Sequence, residues 1–200
     1  MFGMTKCRKY SKRIAFAATV AAGGLLLAGC GGSDSKPKAA AATAAAADFN
    51  DADVMFAQMM IPHHQQALEM AELADGRASD PEITSMAGAI EKAQDPEIRT
   101  MTSWLKGWGK PVSASGMDHG MSGMSGMMSA QDMTRLKAAK GTAFDRKFAE
   151  LMIGHHEGAV AMARTEQKDG RDAGAVAMAG DVVTAQSAEV ARLRTILNRL

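Results

Sequence analysis

Four of the five histidines in this 200-residue chain come as two adjacent pairs, His63-His64 and His155-His156. The fifth, His119, stands among Met117, Met121, Met124, Met127 and Met128 in a run spaced by glycine and serine. Imidazole and thioether together make a ligand set for a soft or borderline ion, Cu(I) foremost, with Ag(I) accepted by the same softness. Neighbours on a helix point about 100° apart, so neither pair readily chelates one ion by itself. One histidine from each pair, meeting across a bundle, can. Met60 and Met152 lie one turn before His64 and His156, which adds mixed His and Met ligation. A competing reading is a polar core network, with neutral imidazoles hydrogen-bonded to Gln94, Glu97, Gln186 and Glu189. For the methionine run the competing reading is a low-complexity linker.

The elements that must position these residues are written twice. A shift of 92 positions superimposes Asp53 on Asp145, Phe56 on Phe148, Met60 on Met152, both histidine pairs, and Met70 on Met162, without a gap. The register continues from Met86, Ile90, Gln94, Glu97, Ile98 and Leu105 to Met178, Val182, Gln186, Glu189, Val190 and Leu197. This is an internal duplication. At helical spacing Asp53, Phe56, Met60, His63, His64, Ala67, Met70 and Ala71 share one face, roughly a third of the circumference. The histidines therefore look inward.

Helix starts are predicted at Asn50 and Thr142, with Asp53 and Asp145 closing capping boxes in place of the usual Glu. Those two aspartates are thus assigned to caps. Further starts are predicted at Asp80, followed by Pro81, and at Asp172, with glycines Gly76 and Gly170 ending the preceding helices. Helices of about 25 residues, each about 38 Å long, then form two antiparallel hairpins. Two hairpins that must each cover an apolar seam predict an all-α fold, a four-helix bundle. Pro62 and Pro96 predict kinks, with Asp95 as a local cap. Between the hairpins, residues 110–140 read as a methionine-rich loop. The glycines at 116, 120, 123 and 126 argue against a stable helix there.

The first 29 residues read as a secretory signal, with Lys6, Arg8, Lys9, Lys12 and Arg13 ahead of a short apolar run. The run ends in Leu27-Ala28-Gly29-Cys30, which resembles the bacterial lipoprotein signal, so Cys30 is the expected lipidation site and 30–47 a flexible tether. Removing residues 1–29 takes five of the 23 basic residues and none of the 22 acidic ones, leaving 18 against 22, a net charge of −4. That charge gives no nucleic-acid footprint. The only other cysteine, Cys7, leaves with the signal, so thiolate metal sites and cysteine nucleophiles are excluded.

The doubled FxxxMIxHHxxAxxMA pattern, with the Gln, Glu and Ile or Val positions that follow it, resembles the bacterial domain-of-unknown-function 305 family, whose fold is ferritin-like. The resemblance covers about residues 48–200 and implies a secreted or periplasmic helical bundle with a copper-binding, copper-resistance role. It also implies that His63, His64, His155 and His156 are bundle-site ligands. The segment from Met117 to Met128 separately resembles the methionine-rich segments of periplasmic copper-resistance proteins.

The expectation is a copper-binding protein, not an enzyme, lipid-anchored on the extracytoplasmic face of a membrane, which sequesters or hands on Cu(I). Its bundle comprises repeat one at 48–109, the loop at 110–140 and repeat two at 141–200. The alternatives are a ferritin-like di-iron oxidase and a non-metal helical interaction domain. The di-iron centre needs a Glu from each of two helices and Glu-x-x-His from the other two. Here Glu97 and Glu189 are the only inward carboxylates of that kind, and Glu-x-x-His is absent.

Overall fold

The computed structural model describes residues 48–113 and 125–200. The predicted signal, the tether, Cys30, and Met117, His119, Met121 and Met124 lie outside the described residues. Five helices follow in order: α1 (Asp51–Glu72), α2 (Pro81–Gly107), α3 (Ala130–Ala138), α4 (Thr142–Asp169) and α5 (Ala173–Arg199). α1 packs on α2 and α4 on α5, and the two hairpins join mainly through α1 and α4. The result is the predicted all-α, ferritin-like bundle of two duplicated hairpins. None of the described helices is long and apolar enough to cross a membrane.

The helix starts show how the two hairpins are tied. Asn50 caps α1, accepting from the N–H groups of Ala52 and Asp53 at 2.8 and 3.2 Å, while the Asp53 carboxylate accepts from Asn50 N–H at 2.6 Å. The same carboxylate reaches across to the other hairpin and accepts from the N–H groups of Arg171 and Asp172, each at 2.9 Å. Asp145 mirrors it, accepting from Ser79 Oγ at 2.5 Å and from Asp80 N–H at 3.0 Å. Each aspartate thus holds the turn before the second helix of the opposite repeat. The N-terminus of α4 departs from expectation. Its cap is Gly141 at φ +60°, with no side-chain cap bond, and Thr142 is the first helical residue.

α1 and α2 run unbroken through Pro62 and Pro96. Asp95 pairs with Arg99 one turn on instead of capping. Within the connector, α3 corrects the reading of 110–140 as one loop, since the glycines that argue against a helix all precede it: Ser129 Oγ caps it by accepting from Asp132 N–H at 3.1 Å, and Met133 and Leu136 bury its apolar side.

Two apolar clusters fill the bundle. One gathers Ala67, Met70, Ile83, Met86, Ile90, Phe144, Phe148, Met152, Leu193 and Ile196. The other gathers Phe56, Met60, Ile61, Met101, Leu105, Ala159, Ala163, Ala179 and Val182. The N-terminal half of α1 therefore lies against the C-terminal half of α4, and those two helices run antiparallel. Between the clusters along every long helix falls a polar residue: His63 and His64, Gln94, His155 and His156, Gln186.

Candidate metal centre in the bundle

The duplication sets the geometry of this polar layer, because antiparallel copies bring equivalent positions face to face. His63 from α1 and His155 from α4 meet with ring centroids 3.8 Å apart and planes inclined by 43°. The second histidine of each pair turns to its own hairpin partner. His64 Nε2 lies 2.7 Å from Glu97 Oε2 on α2, and His156 Nε2 lies 2.7 Å from Glu189 Oε2 on α5. The His64 contact has hydrogen-bond geometry, whereas His156 meets Glu189 off that line. All four imidazoles are at most 1% exposed, while Glu97 and Glu189 reach the surface.

The polar-core reading is thus met at His64, and closely at His156, but not at the centre. No ring nitrogen of His63 or of His155 makes a hydrogen bond of good geometry among the described residues, although the Ser125 backbone stands beside His63 and the His63 backbone beside His155, and the side-chain oxygens of Gln94 and Gln186 have no partner there. Buried groups of this kind each cost about 1–3 kcal/mol when left unpaired. Burial, then the neighbouring His64, pushes His63 down to about 3, with His156 contributing and the backbone of Ser125 offsetting part of the effect. His155 is held well below the ordinary histidine range by burial and then by His63. Both are neutral at physiological pH, with lone pairs available, which is the state a metal requires. His63 and His155 would be the residues to hold an ion in this layer, each through a ring nitrogen. The donor set fits a soft or borderline ion.

Met60 and Met152 are both fully buried, but each belongs to a different apolar cluster, one on either side of the histidine layer. Met127 and Met128 border a separate surface pocket with Gln66, Glu69, Met133 and Lys137. The end of the methionine-rich segment is nonetheless docked at the histidine layer. Gly126, at φ +83°, lies so close to α4 that a Cβ on it would stand 2.8 Å from the carbonyl oxygens of Gly154 and His155. A Cβ on Gly158 would stand 2.1 Å from the Ser125 carbonyl oxygen. Only glycine allows that approach. On α1, Gln66 clasps the same strand of chain, accepting from Met128 N–H at 2.7 Å and donating to Met128 O at 3.0 Å.

Gln66 and Gly158 were not singled out from the sequence, yet they are equivalent positions under the 92-residue shift. One binds the connector and the other makes room for it.

Among the described residues no group of three or more His, Cys, Asp or Glu side chains is placed to hold a metal. Neither the expected set of four histidine ligands nor a carboxylate-rich di-iron centre is gathered there as such a group.

Solved structures with this architecture include a DUF305 protein of Streptomyces coelicolor described as secreted, 30% identical, with a TM-score of 0.67 over 74% of this chain and 93% of that one. A DUF305 fragment from Deinococcus radiodurans is 30% identical, with a TM-score of 0.68 over 76% and 98% of the two chains. CopM in its Cu(I)-bound form is 32% identical, with a TM-score of 0.62 over 74% and 96%. CopM has also been solved with Ag, with Cu(II) and in the apo form. No curated protein is significantly similar to this chain. The family model of Domain of unknown function (DUF305) matches residues 53–197, so this chain, with its doubled histidine motif, belongs to that family.

Proposed function

We propose that the protein is an extracytoplasmic copper-binding protein that sequesters Cu(I) or hands it on, without catalysing a reaction. The observation that carries this reading is the His63–His155 pair: two neutral imidazoles, face to face in a buried layer, whose nitrogens make no hydrogen bond of good geometry among the described residues. A core built only for stability has no use for such a pair. CopM, of the same fold, is known in Cu(I)-, Cu(II)- and Ag-bound forms, which supports the choice of ion. Imidazoles on stiff helices tolerate Cu(II) as well as Cu(I), whereas the thioethers of Met117, Met121, Met124, Met127 and Met128, with His119, favour Cu(I).

The signal-like N-terminus and the secreted Streptomyces relative support an extracytoplasmic location. In this reading Cys30 carries the lipid that retains the protein at the membrane surface. Thioethers exposed in an oxidising compartment are vulnerable to sulfoxide formation, so a methionine-rich connector there fits a ligand role better than a spacer role.

Titration of the purified mature protein with Cu(I), Cu(II), Fe(II) and Zn(II) tests the reading. Copper should bind tightly, and replacing His63, His64, His155 and His156 by Gln should remove one class of sites. Preference for Fe(II), or copper binding that ignores the four replacements, would assign the histidines to another task. Equal membrane retention of wild type and Cys30→Ser would remove the anchor.

A further inference from the structure

Away from the histidine layer, the α1–α4 interface holds a largely apolar pocket of about 450 Å³. Three thioethers line it. Met55 and Met59 stand one turn apart on α1, and Met162 faces them from α4, with Glu166 one turn further on. Met55 is 58% exposed, although the same helix buries Met60 and Met70 completely. Glu166 is the reverse, a carboxylic acid only 1% exposed, with no hydrogen-bond geometry at either side-chain oxygen among the described residues. Gly170 makes room for it, since a Cβ there would stand 2.3 Å from Glu166 Oε1.

The duplication supplies an internal control. At the equivalent positions the other repeat has Lys147, Leu151 and Met70, with Ala74 in place of Glu166 and Ala78 in place of Gly170. Packing these helices therefore needs neither the methionine trio nor the buried acid. We propose that Met55, Met59, Met162 and Glu166 form a second metal site, open to solvent, for a soft monovalent cation, Cu(I) or Ag(I).

Thioethers are neutral, soft ligands, and three of them around an apolar pocket select against hard cations that keep their water. They leave the ion's positive charge uncompensated in surroundings that disfavour it, and Glu166, releasing its proton to solvent as the cation enters, supplies the counter-charge as a carboxylate. The acid's neighbour within the fold is the Asp53 carboxylate, a like charge once Glu166 ionises, which a bound cation would offset. The identity of the ion rests on the copper reading above.

Ag(I) is the probe, titrated into the full mature chain carrying carbon-13 in its methionine methyl groups. The Met55, Met59 and Met162 signals should shift together and saturate at one equivalent. The variant Met55→Leu/Met59→Leu/Met162→Leu, which conserves volume and should fold, should take up one Ag(I) fewer per chain. His63→Gln/His155→Gln should retain that equivalent, and Glu166→Gln should weaken it tenfold or more. Unchanged stoichiometry in the triple leucine variant, or three methyl signals that ignore Ag(I), overturns the site while leaving copper binding by the histidines intact. A wild-type protein that takes up neither Ag(I) nor Cu(I) overturns the copper reading and this site together.

Discussion

The central histidines make a quantitative claim about stability. An imidazole that is neutral and without a well-formed hydrogen bond when buried costs free energy that a leucine of similar volume does not. His63→Leu/His155→Leu is therefore expected to abolish the histidine class of copper sites and yet raise the melting temperature of the metal-free protein by several degrees, at about 2–4 °C per kcal/mol for a domain of this size. A lower melting temperature would mean that the imidazoles are satisfied core groups after all. The pH dependence follows from the depressed basicity. His63 holds its proton only below about 3 when folded but near 6.5 when unfolded, so the unfolded chain binds more protons between those values. Native stability should fall as pH drops through that window, and the leucine variant should lose part of this sensitivity. Proton competition with copper at the metal-free site is expected at lower pH than the ordinary histidine value of about 6.5 implies. Glu166 has the opposite sign. Burial and then the adjacent Asp53 raise it to about 8, above the ordinary 4.5, so its contribution is fully present below about 4.5 and is lost as pH rises through 8. Thermal melts of Glu166→Gln should show a flatter stability profile between those values. An unchanged profile would place the acid in contact with water.

At the scale of elements, the duplication made most of the bundle legible. Apolar spacing located the four long helices, and Asn50, Asp80 and Asp172 cap them as their residue types suggest. Thr142 does not cap α4, because the helix starts one residue earlier than expected, with Gly141 at the cap position, and Asp145 accepts from Ser79 and Asp80 of the other hairpin, a long-range bond that no local pattern announces. The inward histidines and their Glu97 and Glu189 neighbours were likewise legible. Which histidine would face its counterpart was not, since that depends on how α1 and α4 are rotated against each other. The docking of Ser125 and Gly126 over α4 was equally hidden, because one glycine among so many carries no signal of its own. This docking sets the described end of the methionine-rich segment beside the histidine layer. Excising residues 116–129 would strip the Ser125 backbone from His63 along with the methionines. Gly158→Ala tests the coupling directly. Its methyl group would displace the turn, so the hydrogen-exchange protection of Gly126 and Met128 should drop and copper should exchange faster at the histidines, with the helical content kept. Unaltered exchange kinetics would make the connector's seat on α4 a packing detail.

For the whole molecule, the question is whether metal builds the fold or only occupies it. The two apolar clusters lie on either side of the histidine layer, and each contains large side chains that are fully buried without any polar partner, such as Phe144, Phe148 and Ile90 on one side and Met101 and Leu105 on the other. Crossed bonds from Asp53 to Arg171 and Asp172, and from Asp145 to Ser79 and Asp80, join the hairpins near both ends of the α1–α4 pair. The bidentate pairing of Arg199 with Asp80, at 2.5 and 3.0 Å, adds a further link between α5 and α2. None of these contacts involves the histidines. The metal-free protein is accordingly expected to keep its full far-ultraviolet helical signal after chelation. Copper then acts as a ligand of the native state alone, raising the melting temperature with concentration by about 2.7 kcal/mol of stabilisation at a hundredfold excess over Kd. Asp145→Ala should affect the fold where metal removal does not, since it leaves the Ser79 and Asp80 N–H groups without their partner at a cost of about 1–3 kcal/mol. Loss of the helical signal on chelation would show that the ion is structural and that the paired histidines are the keystone of the bundle.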